Sequence, residues 1–196
     1  MNRLKEVSVG ERIFDFVLTS LMIAVVVISA RLSLAIGPIP ITMQTLAVIL
    51  TGLLLAPRLG WLVPTLYLLM GLMGFPVFSG GGGIGYLIKP TFGFLLGFIP
   101  ATYLAGYLYQ HRWFKRDFIN VSIASFIGIA VIYLFGFGYI PLAGVFFGSE
   151  VAVLAAILPS LPFMIIGDCI KIIGLTVIVP ILVRELERAR QPFKNR

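Results

Sequence analysis

The sequence predicts an all-α integral membrane protein, a bundle of six transmembrane helices with both termini in the cytoplasm. Three observations lead to this fold class. Hydrophobic residues make up 59% of the chain and charged residues 12%, and the mean hydropathy of +1.05 lies far above that of soluble domains. The apolar residues are gathered in runs of about 20, the length that crosses a bilayer. Most basic residues fall on one side of these runs.

The helices follow from the apolar runs and from the charges, prolines and glycines that interrupt them. One membrane domain accounts for all 196 residues. The last run is longer than one straight span needs and contains Pro159, Pro162 and Pro180, so its start is expected to belong to the preceding loop or to a kink. The predicted helices lie near residues 13–33, 40–56, 60–75, 88–109, 119–135 and 151–183.

Basic residues set the predicted orientation, because they are retained on the cytoplasmic side of short loops. Of the 15 basic residues, 12 lie before helix one, between helices two and three, between four and five, or after helix six. Arg31, Lys89 and Lys171 are the exceptions and fall toward the outer half or the interior. A cleaved signal peptide over 13–30 is disfavoured, because this apolar stretch is longer than the usual signal core.

Composition also argues against several classes of function. The formal charge of +7 is spread over four cytoplasmic segments, which is unlike a folded nucleic-acid-binding domain. Cys169 is the single cysteine and His111 the single histidine, so neither an internal disulfide nor a metal site of Cys/His spacing is expected. No second carboxylate or Ser-His pair accompanies Asp168, the acid within the last apolar run, so we do not expect an enzyme.

The segment IIGDCIKII, residues 165–173, places an acid and a base within the last apolar run. Asp168 and Lys171 are three positions apart and share one helical face. Charges at bilayer depth are costly and normally face a bundle interior or a cavity, which marks a candidate functional site. A structural ion pair between helices and a proton relay are the alternatives, although no chain of further acids or histidines continues a relay.

Further polar residues gather at the predicted outer side. The connection between helices one and two contains Arg31, followed by Thr42, Gln44 and Thr45. Such side chains can hydrogen-bond a ligand, and a threonine there can equally cap helix two.

The loop SGGGGIGYLIKPT, residues 79–91, contains a formal GxGxxG at Gly80, Gly82 and Gly85. No strand precedes it and no acid follows at the required distance, so a dinucleotide site is rejected; a phosphate-binding loop would need Lys and Ser/Thr. Its four consecutive glycines favour a lid over a ligand, with Tyr86 and Lys89 as the side chains that close over an anionic solute. A merely flexible outer loop is the alternative.

Three segments together resemble the signature blocks of the BioY family, the biotin-specific substrate-binding (S) components of energy-coupling factor (ECF) vitamin transporters. They are GPIPITMQTLAVILTGLLLAPRLG at 37–60, GFPVFSGGGGIGYLIKPTFGFLLGF at 74–98 and IIGDCIKIIG at 165–174. The resemblance is collinear over about 37–183. It implies a six-helix bundle in a bacterial or archaeal cytoplasmic membrane, with biotin bound near the outer side under the loops between helices one and two and three and four.

The resemblance also implies that Asp168 and Lys171 contact biotin. The ureido ring offers two N–H donors and one carbonyl acceptor, which suit a carboxylate and an ammonium group. Gln44 and Tyr86 are secondary candidates, and either Lys89 or Arg31 is expected to hold the valerate carboxylate. The candidate apolar wall around the thioether ring consists of Phe75, Phe78, Phe92 and Phe94.

The family likeness implies partners as well, namely a transmembrane coupling protein and two ATPase subunits. Binding itself is expected to need no cofactor, metal or ATP. The main alternative is a solitary secondary carrier or channel for biotin or another small anionic vitamin.

In this chain KPTFGF at 89–94 replaces the family pattern GPTGGY, so Lys89 and Phe92 are expected to reshape the pocket mouth. The resemblance also implies that small residues on helix one dock the coupling subunit, and here Ser20 and Ala24, four positions apart, loosely represent that pattern.

Overall fold

The computed structural model describes residues 8–34, 41–147 and 161–194. A ribbon of two strands, β1 (Ser33–Leu34) and β2 (Ile41–Thr42), lies between the first two helices, and the two strands pair antiparallel. A short 3-10 helix, Ile84–Ile88, precedes the fourth helix. Within the described residues the helices are α1 Val9–Arg31, α2 Gln44–Leu59, α3 Leu62–Leu72, α4 Phe92–His111, α5 Asp117–Phe147 and α6 Leu161–Lys194.

The predicted all-α class with six helices agrees with these elements, and several boundaries differ. The fifth helix runs beyond the predicted 135 to Phe147, and the sixth runs beyond 183 to Lys194. In the sixth helix, the first charged residues after the apolar run end the membrane segment but do not end the helix. Here Arg188 donates to Glu185 one turn earlier at 2.8 Å, a pairing that suits a solvated helical extension. Residue 40 and residues 151–160 of the predicted helices lie outside the described residues.

Four helices of the described chain are long and apolar enough to cross a membrane: α1, α4, α5 and α6. The helices α2 and α3 have 16 and 11 residues, and they meet at an angle of 109°. Together they qualify as a fifth, broken span. The six-span count therefore stays a prediction, since α2 and α3 are shorter than the roughly 20 residues of a full span.

The end of α2 is distorted where proline follows alanine. Ala56 has φ 56° and ψ 178°, a region that side-chain-bearing residues rarely occupy. Pro57 disfavours a helical conformation for the residue before it and supplies no N–H to the helix. The chain thereby changes direction before α3 begins.

The helices around the site approach closely through glycine. A Cβ atom on Gly52 of α2 would lie 2.4 Å from the backbone oxygen of Thr102, and one on Gly106 of α4 would lie 2.5 Å from the backbone oxygen of Gly52. Small residues at such crossings let backbones pack closely in membrane bundles. Contact between α2 and α4 fixes the position of the first turn of α2, which carries Gln44 and Thr45.

The start of α1 and the end of α6 meet at one end of the bundle. Ser8 caps α1 by accepting from the Glu11 amide at 3.2 Å, and its hydroxyl donates to the carbonyl oxygen of Phe193 at 2.6 Å. An ion pair between Arg190 and Asp15 joins the same two helices. Along α6, Arg190 lies about 33 Å from Asp168 at the helical rise of about 1.5 Å per residue. The start of α1 and the end of α6 therefore lie together, far from Asp168.

Candidate ligand-binding site

A cavity lies where α2, α4, α5, α6 and the loop before α4 converge. Its volume is about 90 Å³, several times the roughly 10–15 Å³ that one water molecule needs. The polar side chains that line it belong to Thr42, Gln44, Thr45, Ser79, Tyr86, Thr91, Tyr133, Asp168 and Lys171. The apolar lining comes from Phe78, Phe94, Leu95, Phe98 and Met164. A small cavity with an apolar wall and converging polar groups is typical of a small-molecule site.

The predicted acid and base lie side by side in this cavity. Asp168 is 5% exposed and Lys171 is 7% exposed, and the Lys171 Nζ atom donates to Asp168 Oδ1 at 2.8 Å. Spacing of three residues on α6 brings the two side chains to the same face. The pair is formally neutral, which reduces the cost of keeping both charges inside the bundle. It contacts the cavity as well as its own partner, so it is not sealed in a dry helix interface.

Two hydroxyl groups from other helices form hydrogen bonds with the Asp168–Lys171 pair. Lys171 Nζ also donates to Thr45 Oγ1 at 2.7 Å, and Thr45 Oγ1 lies 3.3 Å from Asp168 Oδ1. The hydroxyl of Tyr133 on α5 donates to the other carboxylate oxygen, Oδ2. Three helices, α2, α5 and α6, therefore hold the carboxylate in one orientation. Charge-assisted bonds of this kind are roughly twice as strong as neutral ones.

Gln44 supplies an unused donor. The side chain is 4% exposed, and its Nε2 atom has no hydrogen-bond partner within residues 8–34, 41–147 and 161–194. A buried donor without an acceptor costs about 1–3 kcal/mol. Because Gln44 lines the cavity, a ligand that offers an oxygen atom there would relieve this cost.

The glycine loop forms one wall of the cavity through aromatic packing. The rings of Phe78 and Tyr86 are 4.5 Å apart, and the amide of Gly80 donates to the Tyr86 hydroxyl at 3.3 Å. Lys89 Nζ lies 4.1 Å from the centre of the Tyr86 ring. A Cβ atom on Gly82 would lie 2.1 Å from the carbonyl oxygen of Phe75. The loop can therefore take this path only with glycine at position 82. The loop is folded over the cavity and fixed by specific contacts.

The six predicted site residues divide into three groups. Asp168, Lys171, Gln44 and Tyr86 line the cavity. Lys89 is absent from the lining and sits just behind Tyr86. Arg31 is exposed at the end of α1, and its guanidinium donates to the carbonyl oxygen of Pro76, away from the lining.

Of the four phenylalanines predicted to form the apolar wall, two line the cavity and two do not. Phe78 and Phe94 line the cavity. Phe75 is 52% exposed, whereas Phe92 is 2% exposed and packs against Tyr139. Neither lines the cavity.

Tyr133 is the main residue that sequence reasoning missed. It lies within an apolar run of α5, where an aromatic residue is ordinarily part of the core or faces lipid. Only the rotation of α5 relative to α6 brings its hydroxyl to Asp168. Phe98 and Met164 were missed for the same reason, since each occupies an apolar position of an apolar helix.

Comparison with known proteins identifies relatives along most of the chain. Residues 2–188 match the BioY family. The "Probable biotin transporter BioY" of Pyrococcus horikoshii is 36% identical over 79% of this chain and 86% of its own length. The "Biotin transporter BioY" of Rhizobium etli is 36% identical over 80% and 86%, and "Biotin transporter BioY2" of Lactococcus lactis is 33% identical over 94% and 98%.

The fold is similar to that of a solved S-component for biotin from an ECF-type ABC transporter. The TM-score is 0.77, with 24% identity over 91% of this chain and 95% of that one. A crystal structure of FolT bound with folic acid is more distant, with a TM-score of 0.57 and 20% identity. Fold similarity, the match along nearly the whole sequence and the level of identity to several relatives lead to one conclusion: the chain belongs to the BioY family.

Proposed function

We propose that this protein binds biotin and mediates its uptake across the cell membrane as the substrate-binding subunit of an ECF-type transporter. The observation that carries the proposal is the buried, formally neutral Asp168–Lys171 pair facing a small cavity. Relatives named as biotin transporters cover most of the chain at 33–36% identity. The protein is a multi-pass membrane protein, with its apolar residues exposed along the long helices.

The hydrogen-bonding capacity of the pair supports a cyclic urea as the ligand. A carboxylate has about four acceptor positions and an ammonium group has three donors. In the described chain Lys171 and Thr45 approach Asp168 Oδ1, while Tyr133 occupies one side of Oδ2. One acceptor position on Oδ2 and one donor on Lys171 remain. These match one N–H and the carbonyl oxygen of a ureido ring.

The remaining polar groups suit the rest of biotin. We assign the valerate carboxylate to the side of the cavity formed by Tyr86, with Lys89 behind that ring as the compensating cation. Arg31 is a weaker choice because the Pro76 carbonyl already accepts from its guanidinium. The orphaned amide of Gln44 donates to a ligand oxygen. Phe78, Phe94 and Met164 then surround the thioether ring.

Orientation and partners complete the proposal. The chain is proposed to form a single membrane domain. We expect the joined ends of α1 and α6 to lie in the cytoplasm, because basic residues are retained on that side and most of those in the sequence flank the spans there. The cavity then opens toward the outer side. The protein catalyses no reaction of its own; a transmembrane coupling subunit and two ATPase subunits supply the energy for transport.

Uptake of labelled biotin tests this assignment in cells that lack their own biotin transporter. We expect uptake when the chain is produced with a coupling subunit and ATPases, and none when the ATPases carry an inactive nucleotide site. Binding by the purified chain should need neither ATP nor metal. Equal uptake with and without the coupling subunits would contradict the ECF assignment and favour a solitary carrier.

A further inference from the structure

We infer that a groove between α1 and α3 binds an anionic phospholipid of the leaflet on the side where the α1 and α6 ends meet. The groove has a volume of about 450 Å³ and lies on the outside of the bundle, apart from the ligand cavity. Two arginines, Arg12 of α1 and Arg58 of α2, line it together with Asp15, Thr19, Ser20 and five apolar residues. Choosing the cytoplasmic leaflet rests on the proposed orientation, whereas the groove and its charges do not.

The two arginines lie at the same end of the groove. Arg12 is in the first turn of α1, Arg58 is near the last turn of α2, and Leu62 begins α3. Ile23 and Leu66 are one to three turns farther along α1 and α3 and line the same groove. A charged rim thus leads into an apolar channel, which is the polarity of a phospholipid placed with its phosphate at the rim and an acyl chain below.

The rim carries uncompensated positive charge. Asp15 also lines the groove, but it is paired with Arg190. Neither Arg12 nor Arg58 has a side-chain hydrogen bond or ion pair in the part of the chain that the structure describes. Both are exposed. Guanidinium groups bind phosphate oxygens in bidentate geometry, and basic pockets between helices at the cytoplasmic surface favour anionic head groups.

Two neighbouring features fit a lipid. Trp61, which joins α2 to α3, is 41% exposed at the level of the rim, and tryptophan is enriched at the boundary between head groups and acyl chains. Along α1, exposed apolar side chains such as Phe16 continue the groove wall toward the membrane interior. A phospholipid satisfies the rim and the channel at once, whereas a free anion satisfies only the rim.

Native mass spectrometry of the purified, delipidated chain tests the inference, with phosphatidylglycerol, phosphatidylcholine and glycerol phosphate as probes. We expect retention of phosphatidylglycerol over the other two. The double variant Arg12→Gln/Arg58→Gln should lower retention about 30-fold, since each basic residue near a membrane surface contributes about a factor of five. The control Arg116→Gln/Arg184→Gln removes the same charge from exposed positions outside the groove and should retain the lipid.

A second variant distinguishes lipid binding in the groove from general attraction of the anionic lipid to the two arginines. Leu66→Trp fills the apolar channel and leaves both arginines in place, so it should also reduce phosphatidylglycerol retention. The thermal midpoint of each variant in detergent should be unchanged, which shows that the variants fold and keeps this test independent of the proposed function. Equal retention of the two lipids, binding of glycerol phosphate alone, or indifference to both variants would overturn the inference and leave the groove as a surface for a protein partner.

Discussion

At the scale of single residues, the site depends on two charges that are buried inside the helix bundle. Asp168 engages three partners from three helices, counting Lys171 on its own helix, Thr45 on α2 and Tyr133 on α5. Burying an ion without a partner costs several kcal/mol. The cluster offsets this cost and still leaves hydrogen-bonding positions open toward the cavity. A purely structural pair has no need of those positions.

Paired substitutions separate a structural role of the ion pair from a ligand-binding role. Asp168→Asn alone leaves a buried ammonium without its counter-ion and should cost about 3–5 kcal/mol of stability, as should Lys171→Met alone. The double variant removes both charges and should regain most of the stability, measured as the thermal midpoint in detergent. Its biotin affinity should stay at least about 100-fold reduced, because two charge-assisted hydrogen bonds to the ligand are gone.

The control for this experiment lies on the same helix. Glu185 and Arg188 form an ion pair with the same spacing and the same 2.8 Å distance, but their side chains are 59% and 72% exposed. Glu185→Gln/Arg188→Gln should change neither stability nor affinity appreciably, since exposed pairs contribute about 0–1 kcal/mol. If the buried double variant binds biotin normally, the pair is structural only.

Removing the Tyr133 hydroxyl should loosen the carboxylate without altering the charge of the site. Tyr133→Phe removes a hydrogen bond to a buried carboxylate and should cost about 1.5–3 kcal/mol of stability. Biotin binding should weaken by about 10-fold, or about 1.4 kcal/mol, because the carboxylate is no longer held in one orientation. Fluorescence or calorimetric titration measures the affinity. Tyr103→Phe is the matched control, because Tyr103 is 49% exposed on α4 and lies outside the cavity lining. An equal effect of the two substitutions would argue against the role assigned to Tyr133.

At the scale of structural elements, the glycine loop and α2 show what sequence patterns can and cannot predict. The run of glycines predicts a loop that acts as a lid over a ligand. The structure shows this loop packed over the cavity. Which glycine is required cannot be read from the run, because the requirement arises from the Phe75 carbonyl beside Gly82. Likewise the apolar pattern predicts α2 and α3, but only the conformation of Ala56 and Pro57 explains their sharp junction.

Two alanine substitutions in the loop test its role as a lid. Gly82→Ala would place a methyl group against the backbone of Phe75 and should displace the loop, so biotin should dissociate faster. Gly85→Ala meets no atom within 4 Å and should leave the dissociation rate unchanged. The rate is measured by chasing bound labelled biotin with unlabelled biotin. Equal rates for both variants and the parent chain would mean that the loop does not retain the ligand.

At the scale of the whole molecule, the sequence predicts the membrane environment and the helix order from hydropathy and charge alone. It also selects Asp168 and Lys171, which line the cavity, because charges are conspicuous in an apolar run. Tyr133, Phe98 and Met164 could not be identified, since an apolar or aromatic side chain looks the same whether it faces lipid, core or ligand. Their roles depend on how α4, α5 and α6 are rotated about their axes. Rotation is set by packing between helices that are distant in the sequence.

The arrangement of the two bundle ends also belongs to this scale. The ligand cavity lies near the first turn of α2, and the Asp15–Arg190 pair joins α1 to α6 about 33 Å away along α6. Buried apolar residues such as Val48, Ile49 and Leu175 fill the bundle between them. Passage of biotin to the other side therefore requires movement of the subunit or of its helices, which fits the proposed dependence on coupling and ATPase subunits.

The most direct test of the central claim is a calorimetric titration of the purified chain with biotin and with lipoic acid. Both molecules carry a five-carbon acid chain on a sulfur-containing ring, but lipoic acid has no ureido group. If the Asp168–Lys171 pair recognises the cyclic urea, biotin binds with measurable heat and lipoic acid does not displace it. Comparable binding of the two acids, or no binding of biotin, would contradict the account.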